Sequence, residues 1–600
     1  MTISCGPGGR TPRPEVTFDP ALGEGFRITS FGQPVSPELM AMDAEAKQRA
    51  SSSSAVAGGG SGLDGITAQF SGIYQSRLEG LKPRALAAAR AAWPDIPASQ
   101  HVDKVLDMPL LGDNSLESSQ HMVGKIPWLG LTATDRPSAQ RSVVCGVIYA
   151  ELPGKPNVID ELSRLQNIRP VDPATRPASF GTPTKGATPR PAFFALEDES
   201  GRLILSGPRI FQEMLVTGVV CAILGVQLIP GELFVRDICF PLPAPQRPLP
   251  SASNTGNSLL ALTSNWSLGA GTAGTPAALL DMLVDWVAGR VEAVVSDEEA
   301  GDQLGGLGSM IPSASKRPME PGVPSPVNIT RLIVAGNLFS KQADYYDNQD
   351  VGRVNQRRRE ELRRQEEHTA AQMAQADLAI AQLAQCVHVD VMPGDGDPTP
   401  MQHPQQPLPG FVFPRSRRLP LFSTTTNPYA FSVDGVDLVG ISGQALDDII
   451  RYMYPLAAEV LRQVGIPVAD DRPDSGDLVP GSPADMAARF HAAELLLRAC
   501  HWSPTAPDTL PCFPFWHGDR LLASDTRLPH VLFIGNQPAF ASRVVTLNQK
   551  LPDRPAVTVR VVMVPGLATT GQIALLNLPT LEVDSMHFST ASSSSNSIQP

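Results

Sequence analysis

Val327-Asn328-Ile329-Thr330-Arg331-Leu332-Ile333-Val334-Ala335-Gly336-Asn337-Leu338-Phe339-Ser340 is the stretch whose reading decides the fold. Its β-branched apolar run, Leu332-Ile333-Val334, stops at the small-residue turn Ala335-Gly336-Asn337. A run of this kind reads as a buried strand whose C-terminal tip opens into a loop. In α/β sandwiches such tips carry the loops that assemble a site.

Outward from that strand, strands and helices alternate. Residues 259–264 read as a strand. Residues 276–294 read as a helix with Leu279, Leu280, Leu283, Val284, Trp286 and Val287 along one face. The spacing predicts a long helix over 351–385 and a strand over 387–392, ending at Gly394-Asp395-Gly396-Asp397. Strands 430–433 and 436–440 turn through Asp434-Gly435, helices span 445–464 and 484–500, and strands 531–534, 557–564 and 573–578 complete the sheet. Before this region the rhythm is different. Residues 69–93 predict one or two amphipathic helices split near Pro83. Strand-like runs at 143–149, 193–205, 216–226 and 233–240, with one glycine suited to a bulge, suggest about five strands and a small Greek-key barrel of OB type.

The expected fold class is therefore α/β plus all-β. The expected division is a disordered segment 1–62, N-terminal helices and barrel over 63–250 with a loop insertion 166–191, an α/β sandwich over 251–590 with insertions 298–326 and 466–483, and a low-complexity tail 591–600. Six hundred residues exceed what a single core supports. A net charge of -12 makes the protein a poor candidate for the main phosphate-binding surface of any assembly. The seven cysteines lack a C-x-x-C pair and lie mostly in apolar runs, so they read as buried thiols of a reducing compartment. No run approaches the roughly 18 apolar residues of a membrane span and no secretory leader is visible, so a soluble, intracellular protein is expected.

A metallophosphoesterase needs about six to eight His, Asp and Asn ligands delivered from strand tips to two metals. Its Asp-x-His element falls here on Ser264-Asn265-Trp266, and its Gly-Asp on Gly336-Asn337. Gly-Asn-His-Asp becomes Gly394-Asp395-Gly396-Asp397. A lone His becomes the region of Ser442, and Gly-His-x-His becomes Gly535-Asn536-Gln537-Pro538. None of the ten histidines occupies a motif position, so the imidazole ligands and the general acid are both missing. Ser264, Trp266, Asn337, Asp395, Gly396, Asp397, Ser442, Asn536 and Pro538 are thus expected to be degenerate positions, with no catalytic, metal or cofactor-binding residue and no cofactor.

Longer strings narrow the reading. His501-Trp502-Ser503-Pro504-Thr505-Ala506-Pro507-Asp508, Pro529-His530-Val531-Leu532-Phe533-Ile534-Gly535-Asn536-Gln537-Pro538, Gln405-Gln406-Pro407, Thr426-Asn427-Pro428-Tyr429 and Ser442-Gly443-Gln444 resemble the B-subunit family of DNA polymerases alpha, delta and epsilon. Within it they resemble the small regulatory subunits of polymerase delta, as do Leu196-Glu197-Asp198-Glu199 and Val235-Arg236-Asp237-Ile238-Cys239-Phe240. The resemblance covers about 66–590. It implies a non-catalytic subunit acting in DNA replication and repair, an OB barrel packed on a calcineurin-like phosphodiesterase domain that has lost its metals. The implied partners are the cysteine-rich C-terminal domain of the catalytic subunit of DNA polymerase delta, a third accessory subunit and, indirectly, the sliding clamp. DNA contact is weak or indirect, no membrane is involved, and the implied location is the nucleus. An archaeal relative keeps the ligands and works as a nuclease. The rival readings are an active metal-dependent phosphodiesterase or nuclease with unconventional ligands, and an OB-based single-strand binder.

Plain structural readings stand beside the sharper ones. Asp395 and Asp397 read as turn residues, and His501 and His517 as packed or hydrogen-bonded loop histidines. Arg357-Arg358-Arg359, Arg363 and Arg364, interleaved with Glu360, Glu361, Glu366 and Glu367, read as a salt-bridged face. The barrel strands carry few basic residues, which favours protein docking. Arg415, Arg417 and Arg418 form a less neutralised cluster, open to a DNA or partner contact.

Overall fold

The computed structural model describes residues 71–105, 141–152, 155, 192–229, 231–250, 258–268, 275–290, 328–340, 356–463, 479–513, 518–524, 526–547 and 556–589. The expected disordered ends, the insertions 166–191 and 298–326, residues 466–478 of the third insertion, and His517 lie outside them.

The first half runs α1 (Ser71–Ala92), β1 (His101–Val102), β2 (Arg141–Glu151), β3 (Phe193–Glu197), β4 (Arg202–Ser206), α2 (Arg209–Gln212), β5 (Val220–Ile229) and β6 (Glu232–Cys239). Strands β2, β3 and β4 pair antiparallel in sequence. β4 then runs parallel to β6, and β6 pairs with β5, which closes back on β2. This is a closed five-stranded Greek-key barrel, and closure removes the edges that a small sheet would expose. β2 is apolar from Val143 to Ile148 because both its faces are covered there. Val144 and Ile148 point into the barrel with Leu196, Cys221 and Leu233, whereas Val143, Cys145 and Val147 lie under Leu81, Ala85 and Ala89 of α1 and Trp93 just after it. β5 begins at Val220 rather than Val216, and its register shifts between Leu224 and Gly225, where the expected bulge glycine sits. Burial pushes the Cys145 thiol up to about 12, so it stays protonated and acts as a small apolar side chain.

The second half runs β7 (Leu259–Thr263), α3 (Thr275–Val287), β8 (Ile329–Ala335), α4 (Gln356–Leu383), β9 (His388–Met392), β10 (Phe422–Thr424), β11 (Tyr429–Val433), β12 (Val436–Ile441), α5 (Gln444–Gln463), α6 (Pro483–Ala499), β13 (Val531–Gln537), β14 (Ala541–Leu547), β15 (Val557–Pro565), α7 (Leu567–Thr570), β16 (Gln572–Asn577) and β17 (Val583–His587). The strands expected to complete one sheet divide between two, in the orders β10-β9-β8-β7-β16-β17 and β11-β12-β13-β15-β14. A strand buried on both faces reads the same in either sheet, and only the antiparallel return of β16 onto β7 assigns it. The sheets face each other across Leu260, Leu262, Ile333, Phe431, Leu438, Phe533, Val562 and Leu576. Helices α3 and α4 cover the outer face of the first sheet. Helices α5 and α6 cover the second, in a core continuous with the barrel interior. The β11–β12 turn has positive φ at both Asp434 and Gly435, the backbone that a two-residue hairpin demands.

Helix α1 is continuous, where a split near Pro83 was expected. Pro83 lies on its exposed side, while Leu78, Leu81, Ala85 and Ala89 bury the opposite face against the barrel, and that packing outweighs the lost hydrogen bond. From the same helix Arg77 enters the joint between the two halves, with its side chain fully buried. Nε lies 2.7 Å from Asp519 Oδ2, Nη1 donates to the carbonyls of Gly218 (3.0 Å) and Pro504 (2.7 Å), and Nη2 donates to that of Ala506 (2.9 Å). Gly218 sits at φ +87, and a Cβ there would lie 2.0 Å from the Pro504 oxygen and 2.2 Å from Arg77 Nη1, so no other residue allows this approach. His501 Nε2 meets the same Asp519 oxygen at 2.8 Å, and its Nδ1 accepts from Ser503 N at 3.0 Å. Burial, with the Arg77 charge beside it, holds the imidazole down to about 4, and it is neutral in the folded protein. Burial alone would raise Asp519, but His501 and Arg77 hold it well below the usual carboxylate range.

Removing one member of a buried ion pair leaves the other uncompensated, so Arg77→Met should lower unfolding free energy by about 3–5 kcal/mol, read from urea titration at pH 7. The unfolded protein binds a proton near pH 6.5 that folded His501 refuses until about 4. Its stabilising contribution is therefore complete above about pH 6.5 and is lost as pH falls towards about 4. A His501→Gln variant should show a flatter loss of urea midpoint across that window.

Candidate functional site

The C-terminal ends of β7, β8, β9, β12 and β13 converge at one place. Three of these tips turn on asparagines in left-handed backbone: Asn265 (φ 47), Asn337 (φ 54) and Asn536 (φ 60). Asn tolerates this conformation better than other side chains carrying a Cβ, so the local geometry accounts for the residue type. Gly336 (φ 89) stands against the opposing sheet. A Cβ on it would lie 2.6 Å from Ser442 Cβ, 3.1 Å from Asn536 Nδ2 and 3.2 Å from Gly394 Cα. One on Gly394 would lie 2.2 Å from Asn337 Oδ1. The two sheets touch here through backbone and short polar side chains.

Those contacts are hydrogen-bonded in detail. Asn536 Nδ2 donates to the Ser442 carbonyl at 2.6 Å, and Asn536 N donates to Ser264 Oγ at 2.9 Å. Ser264 Oγ donates in turn to the Pro565 carbonyl at 3.0 Å. Asn337 Oδ1 accepts from Gly396 N at 3.0 Å. Asp397 is buried with both oxygens occupied: Oδ1 accepts from Phe339 N (2.9 Å) and Oδ2 from Gly394 N (2.8 Å), which ties the β9 tip to the β8 tip. Burial pushes its carboxyl up to about 6, although the backbone N–H groups pull the other way. Asp395 and Gly396 are half-buried, Trp266 is buried with Nε1 donating to Thr263 Oγ1 at 3.1 Å, and half-buried Pro538 follows β13.

A second layer was not legible in the sequence as a network. Asn427 Nδ2 donates to Gln405 Oε1 (2.8 Å) and Gln444 Oε1 (3.1 Å), Gln444 Nε2 donates to Gln405 Oε1 (2.9 Å), and Asn427 Oδ1 accepts from Ser442 N (3.1 Å). Arg489 of α6 reaches Gln537 Oε1 (3.0 Å) and Asp447 Oδ1 (2.9 Å), with Nε on the carboxylate of Asp485. The one available signal was the recurrence of neutral amide side chains where strands end. In the arginine- and glutamate-rich start of α4, Arg363 pairs with Glu367 at 3.0 Å on the exposed face.

This donor set does not fit two divalent cations. Among the described residues no three His, Cys, Asp or Glu side chains group closely enough to hold a metal. The one buried carboxylate at the tips, Asp397, is committed to backbone N–H groups. Around Gly336 and Gly394 the strand ends are in direct contact, with no room for an added Cβ. Asn536 Oδ1 is buried without a hydrogen-bond partner, a single neutral oxygen. Among the described residues no helix is long and apolar enough to cross a membrane.

Comparison with known proteins agrees with both halves of the fold. Residues 69–238 match the family described as the DNA polymerase delta subunit OB-fold domain, and residues 319–542 match the B-subunit family of DNA polymerases alpha and epsilon. The protein is 28% identical over 460 residues to the DNA polymerase delta small subunit of Saccharomyces cerevisiae, covering 74% of this sequence and 78% of that one. It is 28% identical over 450 residues to the one of Arabidopsis thaliana, covering 75% and 82%. With DNA polymerase delta subunit 2 of Drosophila melanogaster it is 27% identical over 448 residues, covering 74% and 83%. A crystal structure of a Thermus thermophilus protein overlaps at 12% identity and a TM-score of 0.21, covering 55% of this protein and 99% of that one, too low to carry an argument. The fold is a mixed α/β assembly with an OB-fold domain, and both halves of the protein are similar to B-subunit proteins of the DNA polymerases. The relatives it matches are DNA polymerase delta small subunits.

An Asn at position 397 would present an N–H₂ group to one of two backbone donors that now share a carboxylate. Asp397→Asn should therefore cost about 1–3 kcal/mol at pH 7 even though it removes a buried charge, measured as a drop in denaturant midpoint at constant m-value.

Proposed function

We propose that this protein is a non-catalytic accessory subunit of the nuclear DNA polymerase delta complex, serving replication and repair as a scaffold. In this reading the barrel, within 63–250, packs on a calcineurin-like phosphodiesterase sandwich, within 251–590, whose metal site has been lost. Ser264, Trp266, Asn337, Asp395, Gly396, Asp397, Ser442, Asn536 and Pro538 are then structural residues. The carrying observation is the closure of the tips: Gly336 meets Ser442, Asn536 and Gly394 with no space for one added methyl group. Tips without a cluster of metal-binding side chains give no support for a metal-bound water that attacks phosphorus. The similarity to polymerase delta small subunits supplies the assembly. The partners in this reading are the cysteine-rich C-terminal domain of the catalytic subunit and a third subunit, with the sliding clamp reached indirectly and no cofactor required.

Two measurements test it. Full-length protein dialysed against manganese should retain well under one equivalent of metal and show no nuclease activity. Co-expression with the C-terminal domain of the catalytic subunit should yield a stable complex on gel filtration. Two bound manganese ions with Asp397-dependent nuclease activity would replace the scaffold reading with the enzymatic one, and failure to co-purify would remove the bridging role.

A further inference from the structure

We propose that the loop before edge strand β10 carries a contact for single-stranded nucleic acid, built from Phe411, Arg415, Arg417 and Arg418. This goes beyond the accessory-subunit reading and does not rest on it.

The loop is held from beneath. Two short 3₁₀ turns, Gly410–Val412 and Ser416–Arg418, pack beside α4. Val412 and Phe413 are buried, and the Phe413 ring meets Phe422 edge-on at 5.1 Å. Asp377 of α4, 1% exposed, accepts from Arg415 N and Ser416 N at 2.9 Å each and from Ser416 Oγ at 2.7 Å. Arg417 N and Arg418 N close the turn onto the carbonyls of Phe413 and Arg415. Backbone and buried side chains are thus committed to anchoring, and Arg415, Arg417 and Arg418 project outward.

Nothing nearby neutralises them. All three arginines are exposed, and among the described residues no carboxylate pairs with their guanidinium groups. No Asp or Glu occurs between Asp397 and Asp434. On α4 the nearest acidic side chains besides Asp377 are Glu366 and Glu367, about 15 Å further along the helix at ten residues' rise from Glu367, which is itself paired with Arg363. Three positive charges against the one carboxylate of Asp377 leave an excess of two, on a protein whose net charge is -12. Phe411 is 72% exposed. Arg417 Cδ and Nη1 would lie 4.0 Å from a Cβ on the adjoining Gly410, so the arginine side chain reaches the turn that carries the exposed ring. A base stacks on such a ring while its phosphates meet arginines, and the pairing is indifferent to sequence. An acidic protein segment would use the charges but gain less from an isolated exposed ring, which makes nucleic acid the favoured occupant.

The test is fluorescence anisotropy of the full-length protein with a labelled oligothymidylate across a salt series. Three phosphate contacts predict a log–log salt slope of about −2, since single strands give about −0.7 per contact. The Arg415→Ala/Arg417→Ala/Arg418→Ala variant should flatten that slope by about 2. Phe411→Ala should weaken binding roughly tenfold with the slope unchanged. If the triple variant unfolds, each single arginine variant should still lower the slope by about 0.7. Unchanged affinity and slope in these variants would overturn the proposal. So would displacement by polyglutamate as effective as by unlabelled oligonucleotide together with indifference to Phe411→Ala, which would assign the patch to an acidic protein segment.

Discussion

The constraint on which the rest depends is the meeting of two sheets at their C-terminal tips. Strand ends present unpaired backbone groups, and two such rims brought together must satisfy those groups or lose the contact. In a metal enzyme of this geometry, cations and their carboxylate and imidazole ligands would fill the gap. Here Ser264, Asn337, Asp397 and Asn536 satisfy backbone groups directly, and glycines at 336 and 394 let the strand ends approach closely enough for them to do so. The arrangement is neutral apart from half-buried Asp395 and buried Asp397, whose carboxylate serves the main chain. Neutral short-range hydrogen bonds hold the sheets together.

The joint between barrel and sandwich follows a different logic. It is small, deeply buried and charged. Arg77 spends its guanidinium group on one carboxylate and three carbonyls, and the carboxylate is shared with a neutral His501. A buried pair of this kind contributes little to net stability compared with apolar packing, but every misalignment leaves a charge unpaired. Together with the apolar core that runs from the barrel interior to α5, α6 and the second sheet, it holds the two halves in one relative orientation. A rigid surface spanning both halves is what an assembly subunit needs.

Much of the fold was legible because period and punctuation are local. The strand at Leu332-Ile333-Val334, the helical face from Leu279 to Val287 and the Asp434-Gly435 hairpin each follow from a few adjacent residues. The misses share a cause. Edge strands β1, β10 and β17 are two, three and five residues long, too short to show a period. Pro83 reads as a break until its position on the exposed side of a packed helix is known. At the site, the asparagines and glycines that end the strands were plain from residue identity. Asn427 with Gln405 and Gln444, and Arg489 with Gln537, are pairs separated in sequence and joined only by folding.

Residue identity alone determined that neutral asparagines and glycines end the strands at 336–337 and 535–536. It also determined the alternation of strands and helices, since hydrophobic period acts within a few residues. Tertiary structure decided how the strands divide between two sheets, that the tips close into contact, and that Arg415, Arg417 and Arg418 stand outward on an anchored turn. Those outcomes depend on which distant surfaces exclude water together, and that is a property of the packed protein as a whole.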